Sequence, residues 1–176
     1  MENLNKLLDK NNSGIDDAVR SIHNYQIGKF NPIKTSYSFL NDLSLGGLLP
    51  GLIITILGRP QNGKSYIVQQ LREDIMRDKK RDIATLLYNL EMPWFSLLLV
   101  QIKKRIGKSF KEILSISPTT EETKIMREIA DDFRDPRLTT VTTALTPSEW
   151  DYTTRLWIEQ NLDKEQLFIL YDHAGI

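Results

Sequence analysis

The 176-residue sequence contains no cysteine, which excludes disulfide bonds, thiolate metal sites and cysteine nucleophiles. It also has no excess charge, because 23 lysines and arginines balance 23 aspartates and glutamates. No global positive field attracts nucleic acid or an anionic membrane, so any DNA contact must be local. No apolar run approaches the roughly 18 residues of a membrane-spanning helix, and the polar start MENLNKLLDKNNSG does not resemble a signal peptide. These absences predict a soluble cytoplasmic protein without membrane contact.

An apolar run leads directly into a glycine-rich motif. Residues 52–57, LIITIL, are apolar and largely β-branched apart from Thr55, which predicts a strand buried on both faces, as in a parallel sheet. Residues 58–65, GRPQNGKS, match G-x-x-x-x-G-K-[ST], the phosphate-binding P-loop, and a helical pattern follows them. The predicted nucleotide-binding residues are Gly58, Arg59, Pro60, Gln61, Asn62, Gly63, Lys64, Ser65 and Tyr66.

Each part of this motif has a chemical purpose. Gly58 and Gly63 let the backbone turn so that successive amide N–H groups point at phosphate oxygens. Lys64 neutralises the β- and γ-phosphates, and the Ser65 hydroxyl is a ligand for Mg²⁺. The helix that follows adds its positive N-terminal end. The alternative interpretation is a chance glycine-rich turn with a solvated lysine.

A second apolar run, residues 83–90, predicts another buried strand, and Glu91 follows it directly. Pro93 is well placed in the first turn of the next predicted helix, which runs to about Ile106. Open α/β sheets bind ligands at the carboxyl ends of their strands. A glutamate there can orient the water that attacks a γ-phosphate, since phosphoryl transfer depends mostly on positioning and charge. An ordinary charge at the start of the next helix is the alternative.

The last apolar run ends in an aspartate. Residues 167–171, LFILY, precede Asp172, which is the Walker B pattern, in which the carboxylate accepts from a Mg²⁺-bound water or from Ser65. Between the runs, residues 107–135 predict helices, 138–141 a short strand, and 146–149 a capping box with proline at the first helical position. This alternation predicts an α/β fold with a mostly parallel central sheet flanked by helices.

Five segments of the sequence together resemble the RecA-like P-loop motor domain of DnaB-type replicative helicases. They are residues 45–51 (LGGLLPG), 58–65 (GRPQNGKS), 90–92 (LEM), 145–149 (LTPSE) and 167–176 (LFILYDHAGI), in the same order and with similar spacing. The resemblance implies that Glu91 and Lys64 are catalytic, that Ser65 and Asp172 hold Mg²⁺, and that the nucleotide is ATP. It implies a motor that unwinds duplex DNA by translocating on single-stranded DNA, in a bacterial or phage-infected host cytoplasm.

The resemblance also suggests how the chain is divided. Residues 35–176 would be the ATPase domain, and residues 1–34 a linker with a short amphipathic helix, capped by Ser13. Ile15, Val19 and Ile22 share one face of this helix, which packs either on its own domain or on the next subunit. The parent protein would then be a homo-oligomer, a hexameric ring around single-stranded DNA.

The C-terminal end departs from the family pattern. The family commonly has Asp-Tyr-Leu-Gln at this strand, whereas here His173, Ala174 and Gly175 follow Asp172, nearer to the Asp-His of some phage primase-helicases. The role of the usual glutamine therefore does not transfer to Gly175, and His173 either contacts phosphate or substrate or is structural. The chain stops at Ile176, before the strands that in this fold carry the γ-phosphate sensor, the DNA loops and the arginine finger. We expect a domain incomplete on its C-terminal side that binds ATP weakly, hydrolyses it slowly and does not unwind DNA.

Two other functions fit the same motifs. One is a RecA-like ATPase of recombination or repair, and the other is a non-catalytic assembly module that keeps nucleotide as a structural ligand.

Overall fold

The computed structural model describes residues 15–16, 19–20, 22–28, 31–49, 51–59 and 62–172. The chain forms two compact units, Met1–Ile53 and Ile54–Ile176.

Most of the described residues of the first unit are exposed. The described residues from 15 to 26 are helical, and the helix α1 spans Ser38–Leu43. The predicted apolar stripe of Ile15, Val19 and Ile22 is 59–62% exposed, so the structure leaves this face uncovered. Ser13, the predicted cap, lies outside the described residues.

A short antiparallel bridge joins two segments of this unit. Ile33 and Leu48 pair as an isolated antiparallel bridge, and both side chains are buried. A Cβ at Gly47 would lie 2.3 Å from the carbonyl oxygen of Ile33, so only glycine allows the two segments to approach this closely. The paired glycines of the LGGLLPG segment therefore lie in a turn.

The second unit alternates helices and strands. Its elements are α2 (Lys64–Arg77), β1 (Ile83–Asn89), α3 (Trp94–Ile106), α4 (Phe110–Ser115), α5 (Thr120–Phe133), β2 (Leu138–Val141), α6 (Pro147–Gln160) and β3 (Gln166–Asp172). The three strands form a parallel sheet in the order β2-β1-β3. The predicted α/β class with a parallel sheet flanked by helices is confirmed.

The central strand β1 organises the core because every one of its seven residues is buried. Alternate residues of a strand point to opposite faces. Leu87 joins an apolar cluster with Val68 of α2, Leu97 of α3 and Ile129 of α5. The residues between, such as Leu86, pack on the opposite face with α6. The sheet is thus covered by helices on both sides, which explains why a continuous apolar run is needed here.

The helix α6 on the second face begins as the sequence predicts. The Thr146 side chain accepts from the Glu149 backbone N–H, and the Glu149 carboxylate accepts from the Thr146 backbone N–H, with Pro147 at the start. Trp157 of this helix is buried against the sheet, and its indole N–H donates to the Thr139 hydroxyl. Local capping signals therefore place this helix correctly.

The strand predicted at residues 52–57 is wrong. The structure assigns no regular secondary structure to residues 52–59, and Ile53 and Leu57 are 90% and 89% exposed. A buried strand needs neighbours that accept and donate its backbone hydrogen bonds. None of the three strands in the described part of the chain pairs with this segment. The apolar composition of this segment favours burial, but it does not supply a neighbouring strand to pair with.

Candidate functional site

Two polar residues meet at the carboxyl edge of the sheet. Asn89 ends β1 and Asp172 ends β3, and the two are paired in the parallel register. The Leu90 backbone N–H continues the pairing by donating to the Asp172 carbonyl oxygen at 3.4 Å. Because paired residues of parallel strands point to the same face, Asn89 and Asp172 lie on the face that also carries Leu87 and α2.

The helix α2 brings the P-loop to this edge. Gly63 stands at its N-cap with a φ of 78°, a left-handed conformation that favours glycine and lets the loop turn into the helix. Two residues later, the Ser65 hydroxyl donates to Oδ1 of Asp172 at 3.0 Å. Asp172 is only 3% exposed. The P-loop serine and the strand-end aspartate, 107 residues apart in the chain, therefore form one polar centre.

The lysine of the motif makes hydrogen bonds to its own loop. The Lys64 ammonium donates to the carbonyl oxygens of Gly58 at 2.9 Å and Arg59 at 3.1 Å. The Asn62 backbone N–H donates to the same Arg59 carbonyl at 3.3 Å. The loop is thus folded over its lysine, and an anion that binds Lys64 would replace these two carbonyl contacts. Gly58, Arg59, Asn62 and Gly63 themselves are exposed.

Glu91 lies just beyond the same edge of the sheet. Its side chain is exposed and makes no hydrogen bond or ion pair with any residue that the structure describes. A hydrogen bond holds the turn that carries Glu91, because the buried Asn89 amide donates to the Met92 carbonyl oxygen at 2.7 Å. The register of β1 against β3 therefore places the Glu91 backbone next to the end of β3. The Glu91 carboxylate faces solvent.

Sequence reasoning missed Asn89. It is fully buried, and its Oδ1 finds no hydrogen-bond partner among the described residues. The signal was present, since Asn89 is the one amide in the run IATLLYNL, and a buried amide inside a core strand needs a reason. That reason includes holding the turn around Glu91.

Other predicted site residues lie to the side or outside the description. Tyr66 is 48% exposed, and its ring centroid is 5.3 Å from the ammonium of Lys104. Pro60, Gln61, His173 and Gly175 lie outside the described residues.

The oxygen atoms at the sheet edge fit a hard divalent cation. Mg²⁺ prefers oxygen ligands and usually binds through one or two protein groups, with water and phosphate completing its shell. The Ser65 hydroxyl and the Asp172 carboxylate are such groups, already in contact. The described residues contain no group of three or more acidic or histidine side chains that could hold a metal alone. A metal here would therefore depend on the nucleotide's own oxygens.

No helix in the described ranges is both long enough and apolar enough to cross a membrane.

Comparison with known proteins supports the fold. No protein-family model matches the chain, and no curated protein matches it by sequence. Among solved structures, it is similar to the ATPase domain of a phage DnaB-like helicase, with a TM-score of 0.62 and 17% identity. The fold is that of a RecA-like P-loop ATPase domain.

The two chains match over unequal shares of their lengths. The similarity covers 92% of this chain and 59% of the phage helicase domain. The RecA-like fold agrees with the resemblance that the sequence motifs predicted. At 17% identity, the similarity shows the fold and not the activity.

Proposed function

We propose that this chain binds and hydrolyses ATP as part of the motor domain of a DnaB-like replicative helicase. The observation that carries the proposal is the hydrogen bond between Ser65 of the P-loop and Asp172 of β3. It joins the two elements that a P-loop ATPase uses for phosphate and metal. The similarity of the fold to the phage helicase ATPase domain supports the same kind of protein.

Each part of the site would contribute a different group. Backbone amides of the loop and the N-terminus of α2 would bind the phosphates, with Lys64 supplying positive charge. Ser65 and Asp172 would hold Mg²⁺, which when bound neutralises charge on the β- and γ-phosphate oxygens. Glu91 would orient the attacking water, because it follows β1 at the edge where Asp172 ends β3. Asn89 would keep that turn in place through Met92.

The wider assembly follows from the same proposal. The parent protein would form a hexameric ring on single-stranded DNA and couple hydrolysis to translocation. The exposed stripe of Ile15, Val19 and Ile22 supports a subunit contact, since burial of this apolar helix face by a neighbour would lower the free energy.

Equilibrium binding of a fluorescent ATP analogue to the 176-residue chain tests the nucleotide site. Lys64→Ala should weaken binding about tenfold or more, because it removes a charge-assisted contact with phosphate. Lys124→Ala, an exposed lysine on α5, is the matched control and should bind like the wild type. Equal affinity in all three proteins would contradict a P-loop nucleotide site.

Hydrolysis is tested separately with Glu91→Gln. The wild-type chain should release phosphate slowly, and the variant should lose that turnover while keeping its affinity for the ATP analogue. Wild-type turnover indistinguishable from the variant's would instead favour a module that binds nucleotide without hydrolysing it.

A further inference from the structure

A cavity of about 260 Å³ lies behind the nucleotide site, between α2, α3 and α5. It is lined by four cationic side chains, Arg72, Arg77, Lys79 and Arg105, and by three carboxylates, Glu73, Asp132 and Asp135. The cavity is separate from the residues that were assigned to ATP and magnesium. Its volume suits a small ligand better than a nucleotide.

Each carboxylate around the cavity already has a close cation. Glu73 Oε2 is 2.7 Å from the Lys104 ammonium, which lies outside the cavity lining. Asp132 is 2.5 Å from Arg105. The Asp135 carboxylate accepts from Arg137 at 2.9 Å, and this contact lowers the pKa of Asp135. These acids are therefore neutralised by other groups.

Arg72 has no carboxylate this close, because its one ion pair among the described residues, with Glu73, is long. It is 3% exposed, and its nearest carboxylate oxygen, on Glu73, is 3.7 Å away, beyond hydrogen-bond distance. Its Nε is buried and has no hydrogen-bond partner among the described residues. The guanidinium lies 4.1 Å from the centroid of the Phe133 ring, a contact that attracts the charge but accepts no N–H in the plane of the guanidinium.

A buried guanidinium in this state is costly. Burial of a charge is compensated only when a counter-charge and hydrogen bonds replace the lost water. Burial lowers the pKa of Arg72, as expected for a cation that has lost its hydration. Lys79, exposed at the cavity, makes no ion pair in the described part of the chain. The lining therefore has a buried guanidinium whose one ion pair among the described residues, with Glu73, is not hydrogen-bonded, and it has an exposed ammonium, on Lys79, with no ion pair there.

We propose that this cavity binds a small tetrahedral oxyanion, phosphate in type, with Arg72 as its buried anchor and Lys79 at its entrance. The anion would provide the hydrogen-bond acceptors that Arg72 lacks and a counter-charge closer than that of Glu73. Such a site is independent of the P-loop, since α2 presents Lys64 and Ser65 at its N-terminus and Arg72 two turns further along. The phosphate group could be free or carried on a larger molecule.

Calorimetric titration with inorganic phosphate tests this site at constant ionic strength. The background is Lys64→Ala, because the P-loop itself attracts phosphate. This variant should still bind phosphate, and adding Arg72→Gln should weaken that binding about tenfold or more. Arg155→Gln is the matched control, since Arg155 is an exposed arginine on α6 that pairs with Asp151 outside the cavity, and it should leave phosphate affinity unchanged.

Two results would overturn the proposal: no phosphate binding to the Lys64→Ala chain, or equal binding with and without Arg72. If Arg72→Gln does not fold, Lys79→Ala decides, because an exposed side chain can be truncated safely. It should weaken phosphate binding severalfold at low salt and less at high salt, and an unchanged affinity would refute the site. A parallel titration with ribose 5-phosphate distinguishes a free phosphate ion from a phosphate group on a larger molecule. Competition between ribose 5-phosphate and inorganic phosphate indicates that the cavity accepts a phosphate group on a larger molecule. A lack of competition indicates that it accepts only the free ion.

Discussion

Two apolar runs of similar composition have opposite fates in this molecule. Residues 83–89, IATLLYN, form the fully buried strand β1, whereas residues 52–57, LIITIL, are irregular, with Ile53 and Leu57 about nine-tenths exposed. The difference lies in their neighbours. Leu87 is paired with Thr140 on one side and with Leu170 on the other. Residues 52–57 have no paired strand in the described chain.

The comparison shows that apolar patterning and strand formation are separate requirements. Burying a run of β-branched and aliphatic residues stabilises the fold, whatever structure buries it. Forming a strand additionally requires other segments to complete the hydrogen-bond ladder, and that depends on residues distant in the chain. A strand therefore cannot be assigned from its own residues alone, even next to a strong motif such as the P-loop.

The largest expected effect separates the two runs directly. Leu87→Ala should lower the free energy of unfolding by about 3 kcal/mol, because it opens a cavity in the central strand. The same truncation at Leu57 should cost less than about 0.5 kcal/mol, since that side chain is already in solvent. Urea unfolding followed by tryptophan fluorescence measures both. A comparable loss in the Leu57 variant would mean that the LIITIL segment is buried in solution.

A second prediction concerns the buried amide at the end of β1. Asn89→Ala should lower the free energy of unfolding by about 2 kcal/mol, because it removes the hydrogen bond to Met92 from a fully buried site. Asn161→Ala removes a similar bond, to the Trp157 carbonyl, at a half-buried position and is the control. Its cost should be smaller, about 1 kcal/mol. Equal losses in urea unfolding would show that burial of Asn89 adds nothing to its contribution.

Much of the fold was predictable because its signals are local. The strand β2, the start of α6 at Thr146 and the strand ending in Asp172 all follow from short patterns of apolar residues, caps and proline. The motif residues Ser65 and Asp172 were also identifiable, but their contact depends on how α2 packs on β3. Asn89 and Arg72 were missed, since only the folded chain shows that these polar side chains are buried.

The smallest expected effect concerns one of these local signals. Thr146→Ala removes the side-chain cap of α6 and should lower the free energy of unfolding by about 1 kcal/mol at neutral pH. Donation from the Thr146 backbone N–H and hydroxyl holds the pKa of Glu149 below its ordinary value of 4.5. A depressed carboxyl pKa stabilises the fold above that value and less as the pH falls through the folded pKa.

The cap therefore has a pH signature. The difference between wild type and Thr146→Ala should be constant above pH 4.5 and shrink below it, measured as urea midpoints across the acid range. A difference that grows on acidification would contradict the role of Glu149 in the capping box.

The most direct measurement of the proposed site is the magnesium dependence of ATP-analogue binding in Asp172→Asn. In the wild-type chain Mg²⁺ should tighten binding, and the variant should lose about tenfold or more of that gain because the carboxylate bonded to Ser65 is gone. Its affinity without Mg²⁺ should be unchanged, since Lys64 and the loop amides remain. The same magnesium dependence in both proteins would contradict a shared site for the P-loop and the end of β3.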